Sequence, residues 1–210
     1  MGDREIVESF RRAREEQVRF FSNPAKPERE RWVVQEFLKT LSISLSEDEL
    51  YSPKEADDVD VVFRDANFQV KELPEPDCLR SSEVVEDLKR GETATLPMEL
   101  FGALVAKDIV FEDAYPSIQA YARDHRYSPA SRAKLDLLVY VTHTHAVLNR
   151  KTQPADLSTL GWRSISCLFG PHAYVLVATE NAPLFLRDHC RVSERVVEPG
   201  RIRGRVSELD

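Results

Sequence analysis

The stretch VDVVFRDANFQVKEL, residues 59–73, decides the fold that we expect for this chain. Apolar and polar residues alternate along residues 59–63 and again along residues 69–71, which is the period of a half-buried β-strand. The residues between the two runs, 64–67, include the Asp and Asn that favour turns. The stretch therefore predicts a β-hairpin.

Symmetric pairing of this hairpin, through a loop of two or four residues, sets Asp60 opposite Lys71 and Val62 opposite Gln69. Directly opposed residues in an antiparallel pair share a face, with Cβ atoms about 5 Å apart. We therefore expect an acid, an amide and an ammonium on one face of the hairpin. The apolar side chains on the other face, which would enter a core, are Val61, Phe63, Phe68 and Val70.

This polar face indicates metal-assisted attack on a phosphodiester. Mg²⁺ prefers oxygen ligands and takes one or two carboxylates from the protein. A bound divalent ion polarises the phosphoryl oxygen and lowers the pKa of its water, and a nearby lysine can orient that water. Asp60 and Gln69 are thus candidate metal ligands, and Lys71 is the candidate catalytic lysine. The alternative is a solvated ion pair between Asp60 and Lys71, worth less than about 1 kcal/mol.

An amphipathic helix is predicted upstream of the hairpin, and Pro27 suits its first turn. Its apolar side chains recur at helical spacing, at Val33, Val34, Phe37, Leu38 and Leu41. At about 100° per residue, Glu30 falls within the same apolar arc, whereas Glu36 falls outside it. A carboxylate on a core-facing stripe costs free energy unless it is paired or binds a metal. Glu30 is therefore a candidate third ligand, or else it reaches solvent from a frayed first turn.

These residues resemble a known pattern in their order along the chain. Glu30-Arg31 at the start of a helix, Asp60 before an apolar strand, and Gln69-x-Lys71 on the next strand resemble the PD-(D/E)xK nuclease superfamily, which includes restriction enzymes and archaeal Holliday-junction resolvases. Residues 60–72 also resemble an uncharacterised bacterial family of candidate endonucleases. The resemblance implies Mg²⁺ or Mn²⁺ held by Asp60, Gln69 and Glu30, with Asp60 and Lys71 as catalytic residues.

Two positions depart from the superfamily pattern. Val59 stands where proline is usual before the aspartate, and Gln69 replaces the second acid with a neutral oxygen ligand. With one fewer negative charge at the metal, its affinity should fall. Either Glu30 then matters more, or the site is degenerate.

The resemblance and the order of predicted elements imply an α/β fold, a restriction-endonuclease-like sandwich with a mixed central β-sheet flanked by helices, plus N- and C-terminal extensions. We expect a single domain over residues 1–210, with an N-terminal helical arm (1–24), a nuclease-like core (25–180) and a basic C-terminal extension (181–210). Helices are predicted at residues 3–21, 82–90, 98–109 and 113–124. Strands are predicted at residues 135–142, 163–169 and 173–179.

A formal net charge of −7 is unfavourable for binding a polyanion, because such binding depends on Lys and Arg that neutralise phosphates. The densest basic run near the C-terminus contains Arg201, Arg203 and Arg205. It predicts nucleic-acid binding, or alternatively a solubilising tail. We expect DNA as the substrate in preference to RNA, and a homodimer by analogy with nucleases that cut two strands.

Other classes of protein and site fit the sequence less well. No apolar run approaches the length of a membrane span, and the charged first twenty residues are unlike a signal peptide, so we expect a cytoplasmic protein without a membrane partner. His143 and His145 form a His-x-His pair that could bind Zn²⁺ or Mn²⁺, although nothing identifies a third ligand. The alternative to a nuclease is a catalytically inactive nuclease-fold or α/β protein that acts as an interaction module.

Overall fold

The structure is a computed structural model that describes residues 2–53, 58–74, 80–100, 111–142 and 157–190. Within these ranges, six strands form one mixed sheet in which they lie in chain order. They are β1 (Leu50–Tyr51), β2 (Val61–Phe63), β3 (Ala66–Leu73), β4 (Asp136–Val141), β5 (Ser164–Phe169) and β6 (His172–Ala178). The pairs β3–β4 and β4–β5 are parallel, and the other neighbouring pairs are antiparallel.

Helices accompany the sheet along the chain. They are α1 (Asp3–Phe20), α2 (Lys26–Thr40), α3 (Arg80–Thr93), α4 (Phe111–Ala122), α5 (Pro129–Arg132) and α6 (Leu184–Cys190), with 3₁₀ turns at Asn23–Ala25, Glu47–Glu49, Pro97–Leu100 and Ser158–Leu160. Proline in the first turn of α2, followed by Glu28, suits a helix start. No helix in the described ranges is long and apolar enough to cross a membrane.

The two faces of the sheet carry separate apolar cores. On one face, α2 packs on β2 and β3 through Val33, Val34 and Phe37, and Leu186 of α6 joins the same cluster. On the other face, Ile118 and other residues of α4 pack on the central strands. The fold is therefore a mixed α/β architecture with helices on both sides of a six-stranded sheet.

Most sequence-based predictions of elements are confirmed. The helices expected at 3–21, 82–90 and 113–124 correspond to α1, α3 and α4, and the three later strands correspond to β4, β5 and β6. Of the helix expected at 98–109, residues 98–100 belong to a 3₁₀ turn at Pro97–Leu100, and the rest lies outside the described residues. The division into arm, core and extension stays a prediction, although Leu186 of the expected extension is buried in the core.

The register expected for the hairpin is wrong by two residues. The observed pairs are Val61 with Phe68, Val62 with Asn67 and Phe63 with Ala66, so the loop is Arg64-Asp65. The carboxylate of Asp60, just before β2, contacts the side chain of Gln69, whereas the sequence predicted Lys71 as its opposite residue. Because strand side chains alternate, a shift by two keeps the paired side chains of β2 and β3 on their expected faces.

Contacts outside the hairpin hold this loop. Arg64 has a positive φ of 52°, which is uncommon for a residue with a side chain. Its guanidinium donates to the carboxylate of Glu49 at 2.8 and 3.2 Å and to the carbonyl of Ser44 at 3.0 Å. The hydrogen bonds from Arg64 lower the pKa of Glu49 to about 2. Local turn propensity alone did not predict a loop at Arg64-Asp65, because the residues that bind Arg64 are 15 and 20 positions away in the sequence.

A buried carboxylate connects the hairpin to the parallel strands. Asp136 is fully buried at the start of β4 and accepts hydrogen bonds from the backbone N–H of Asn67 at 2.9 Å and the hydroxyl of Ser164 at 2.8 Å. The guanidinium of Arg163 pairs with the same carboxylate and also donates to the carbonyl of Asp65 at 3.0 Å. Burial raises the pKa of Asp136, while these hydrogen bonds act in the opposite direction.

We expect Asp136→Asn to destabilise the fold by about 3 kcal/mol, because removing one partner leaves the Arg163 charge without its counter-ion. Urea unfolding at neutral pH measures the change. The matched control is Glu8→Gln, which removes a carboxylate from the exposed Arg4–Glu8 pair and should cost less than about 0.5 kcal/mol. Equal small effects from both variants would contradict a structural role for Asp136.

Candidate functional site

Asp60 and Gln69 meet at the end of the hairpin that is away from the turn. The backbone N–H of Asp60 donates to the carbonyl of Phe68 at 2.9 Å. Phe68 is also the register partner of Val61, so this bond ties Asp60 to β3 just outside the regular pairing of β2. Oδ2 of Asp60 accepts the backbone N–H of Val70 at 2.8 Å and the side-chain amide of Gln69. Gln69 is 4% exposed, so it is a buried polar side chain whose orientation depends on Asp60.

Glu30 approaches the same carboxylate from the first turns of α2. It is 8% exposed and belongs to the buried part of that helix, so it does not extend from a frayed end into bulk solvent. Burial raises the pKa of Glu30, and the nearby charge of Asp60 raises it further. The structure therefore brings two carboxylates close enough to interact electrostatically.

Lys26 lies between these carboxylates. Its Nζ is 3.1 Å from Oε1 of Glu30 and 3.7 Å from Oδ1 of Asp60. Partial burial lowers the pKa of Lys26, but the hydrogen bond to Glu30 and the charge of Asp60 raise it overall. Lys26 is absent from the site residues predicted from the sequence, although its spacing of four residues from Glu30 in a helix is the usual signal for an ion pair.

Lys71 lies on the same face of β3 as Gln69 but makes a different contact. Its Nζ is 5.3 Å from the centre of the Tyr127 ring, a distance at which an ammonium is attracted to an aromatic face. Burial lowers the pKa of Lys71; the charge of Asp60 opposes this shift, and Arg126 and Lys26 reinforce it. Among the described residues, the cation that pairs with Asp60 within 4 Å is Lys26. The expected alternative, a cross-strand ion pair between Asp60 and Lys71, is therefore not formed.

Tyr127 completes this part of the site. Burial, followed by the charge of Asp60, raises the pKa of its hydroxyl to about 12, so the phenol stays neutral beside Lys71. Its ring also packs on Trp162, with ring centres 5.2 Å apart. The tyrosine therefore joins the ammonium of Lys71 to the apolar core under α4. No sequence motif marks Tyr127, because its role depends on the folding of the loop after α4.

The donor set fits a hard divalent cation only in part. In the part of the chain that the structure describes, no group of three His, Cys, Asp or Glu side chains is placed to hold a metal ion. Asp60 and Glu30 supply two carboxylates, and the ammonium between them shows that a cation is favoured at this position. A third protein ligand would be the oxygen of Gln69, whose amide nitrogen faces Asp60. Mg²⁺ and Mn²⁺ suit this set, since one or two carboxylates with waters suffice for Mg²⁺.

Open space adjoins the site. A cavity of about 370 Å³ is lined by Asp58 and Val59, directly before Asp60, and by Asn67, Ser131 and Lys134 among others. It lies beside the hairpin and the short helix α5.

The remaining sequence-based candidates lie outside the described residues. They are Arg201, Arg203 and Arg205 near the C-terminus and the pair His143 and His145.

Cys167 and Cys190 are free thiols. Burial raises the pKa of Cys167 to about 12, so its thiol remains protonated in the core.

Two comparisons with known proteins give matches. A family model described as "Putative endonuclease, protein of unknown function (DUF1780)" matches residues 2–199. A solved structure from Pseudomonas aeruginosa strain PAO1 is similar over 90% of this chain and 93% of that chain, with 28% sequence identity and a TM-score of 0.57. That protein is described as having unknown function and as belonging to the monooxygenase superfamily. No curated protein matches the chain.

The raised pKa of Glu30 predicts a pH-dependent stability difference between the native protein and Glu30→Gln. A carboxyl whose pKa is raised by folding stabilises the protein most below its unfolded-state pKa of 4.5. This stabilisation is lost as the pH rises from that value through the folded-state pKa. We therefore expect the unfolding free energy of Glu30→Gln, relative to the native protein, to increase over this interval. Urea unfolding at pH 4 to 7, without added metal, measures it. A relative free energy that falls as pH rises would contradict the burial argument.

Proposed function

The chain belongs to this DUF1780 family, and from that premise we propose that it is a divalent-metal-dependent endonuclease that hydrolyses nucleic-acid phosphodiester bonds. The observation that carries the proposal is the buried pair of carboxylates, Asp60 and Glu30, that share one cation at the end of the hairpin. Gln69 contacts Asp60 directly, and Lys71 lies on the same face. Acids, an amide and a lysine in this arrangement suit phosphodiester hydrolysis better than a purely structural hairpin.

We propose that the fold is a restriction-endonuclease-like sandwich. A mixed sheet with α2 and α6 on one face and α4 on the other supports this assignment. The position of the site supports it as well, because Asp60 precedes β2 while Gln69 and Lys71 lie on β3.

Each side chain has a distinct role in this proposal. Asp60, Glu30 and Gln69 would hold Mg²⁺ or Mn²⁺, and the bound ion would polarise the phosphoryl oxygen and lower the pKa of its water. Oδ2 of Asp60 is held by the N–H of Val70, which leaves Oδ1 directed at the cation position. Lys71 would orient the attacking water and neutralise charge that develops on the phosphate. Burial lowers the pKa of Lys71, which makes its proton easier to give up.

The partner follows from the reaction. The substrate would be nucleic acid, with DNA preferred to RNA, and a homodimer would allow two strands to be cut. Because the net charge is −7, contacts to the phosphate backbone have to come from local basic groups. We propose Arg201, Arg203 and Arg205 for these contacts.

A second candidate function is a non-catalytic interaction module with the same fold. One observation favours it: Asp60 is already satisfied by Val70, Gln69 and Lys26, as a structural carboxylate would be. The Pseudomonas protein is described as a member of the monooxygenase superfamily, which suggests a third possible reaction, but a shared fold does not determine which reaction a protein catalyses. Cleavage of DNA separates these possibilities.

The decisive experiment measures cleavage of branched, single-stranded and duplex DNA with Mg²⁺ or Mn²⁺. We expect Lys71→Ala to reduce the cleavage rate at least about 100-fold, because the lysine acts mainly in the transition state. Binding of Mn²⁺ and of DNA should change little, since Lys71 makes no ion pair with Asp60 among the described contacts.

Lys39→Ala is the matched control. Lys39 lies on α2, where it pairs with Glu36 at 2.8 Å on the exposed surface, so its removal should leave cleavage unchanged. No cleavage of any of these substrates by the native protein would favour the interaction module.

Gln69→Glu tests the metal site from the other direction. A carboxylate at this 4% exposed position would lie beside Asp60 and near Glu30, so the metal-free protein should unfold at a lower temperature than the native one. With a third acid at the metal, we expect Mn²⁺ affinity to rise at least about ten-fold. Calorimetry and thermal unfolding with and without Mn²⁺ provide both readouts. A destabilised variant whose affinity for Mn²⁺ has not risen would contradict the proposed ligand role of Gln69.

A further inference from the structure

Lys26 has the geometry of a counter-ion for the whole candidate site. Its ammonium is within 4 Å of one oxygen from each carboxylate, 3.1 Å from Glu30 and 3.7 Å from Asp60. The side chains of Glu30 and Asp60 are only 10% and 14% exposed, whereas that of Lys26 is 58% exposed. The acids are thus held in the protein, and the lysine reaches them from the surface.

The two carboxylates need a positive charge in the metal-free protein. Like charges placed close together in a poorly solvated site repel one another, and each is costly without a partner. The other oxygen of Asp60 is engaged by Val70 and Gln69, so Oδ1 is the oxygen left for a cation. Lys26 supplies that cation from one turn earlier in α2 than Glu30.

We propose that Lys26 competes with the divalent metal ion for the oxygens of Asp60 and Glu30, so that metal binding requires the ammonium to leave. This inference rests on the proposed function, because it assigns those two oxygens to the metal. The exposed side chain of Lys26 can move into solvent without disturbing the core. Lys26 is then a residue that limits metal affinity and protects the metal-free fold, and it is not itself a ligand.

The exchange also accounts for the altered ligand set. Gln69 stands where a third acid would add negative charge. With the neutral amide there, Asp60, Glu30 and Lys26 leave an excess of one negative charge when all three are ionised. A carboxylate at position 69 would add a second uncompensated negative charge to the cluster in the metal-free protein. A neutral amide and a built-in cation together allow the metal-free protein to remain folded.

Titration of the full chain with MnCl₂ in a calorimeter tests this proposal, with Lys26→Gln compared with the native protein. We expect Lys26→Gln to bind Mn²⁺ at least about ten-fold more tightly, because the competing charge is gone. Its metal-free form should unfold at a lower temperature than the native protein, and Mn²⁺ should raise its unfolding temperature by more than that of the native protein. Lys26→Arg retains the positive charge and should not gain affinity.

Lys39→Gln is the control, because it removes a lysine from the same helix where the partner is the exposed Glu36. Unchanged or weaker Mn²⁺ binding by Lys26→Gln, with binding by the native protein intact, would overturn the competition and leave the proposed function standing. Binding by Lys26→Gln without detectable binding by the native protein would support the competition. No binding by either protein would overturn both proposals.

Discussion

A buried carboxylate stays ionised only where donors surround it, and Asp136 receives hydrogen bonds from Asn67, Ser164 and Arg163. Asn67 lies near the beginning of β3, Ser164 begins β5, and Arg163 directly precedes β5. One side chain at the start of β4 therefore aligns three strands. Arg163 also binds the carbonyl of Asp65 in the hairpin loop. The hairpin is thereby attached to the parallel strands with a two-residue loop, and its register brings Asp60 beside Gln69.

The candidate site combines two opposing electrostatic requirements. Burial of Glu30 and Asp60 near one another is unfavourable in the metal-free protein, yet the same crowding of oxygens attracts a divalent cation. The ammonium of Lys26 offsets the repulsion. Lys71 is kept apart, over the ring of Tyr127, where burial makes its proton easier to lose. One lysine thus pairs with the carboxylates, while the other lies apart from them.

Strand periodicity explains why much of this site could be predicted while its contacts could not. Alternation with a period of two places Gln69 and Lys71 on one face of β3, and this holds even though the expected register is wrong by two residues. Asp60 precedes β2 and meets Gln69 through a side-chain contact. The partner of Asp60 was not predictable from the hairpin, because it comes from a different element. Lys26 reaches Asp60 only when α2 packs across the sheet.

The sequence by itself determined most helices and strands, the faces of the paired hairpin residues and the place of Glu30 on the apolar arc of its helix, because these follow from local periodicity. Tertiary packing decided that Glu30 is buried and does not reach solvent. Tertiary structure alone decided the loop at Arg64-Asp65, the alignment by Asp136 and the contact between Lys71 and Tyr127. Each of these joins groups far apart along the chain. Their energies depend on burial and distance, which local sequence does not specify.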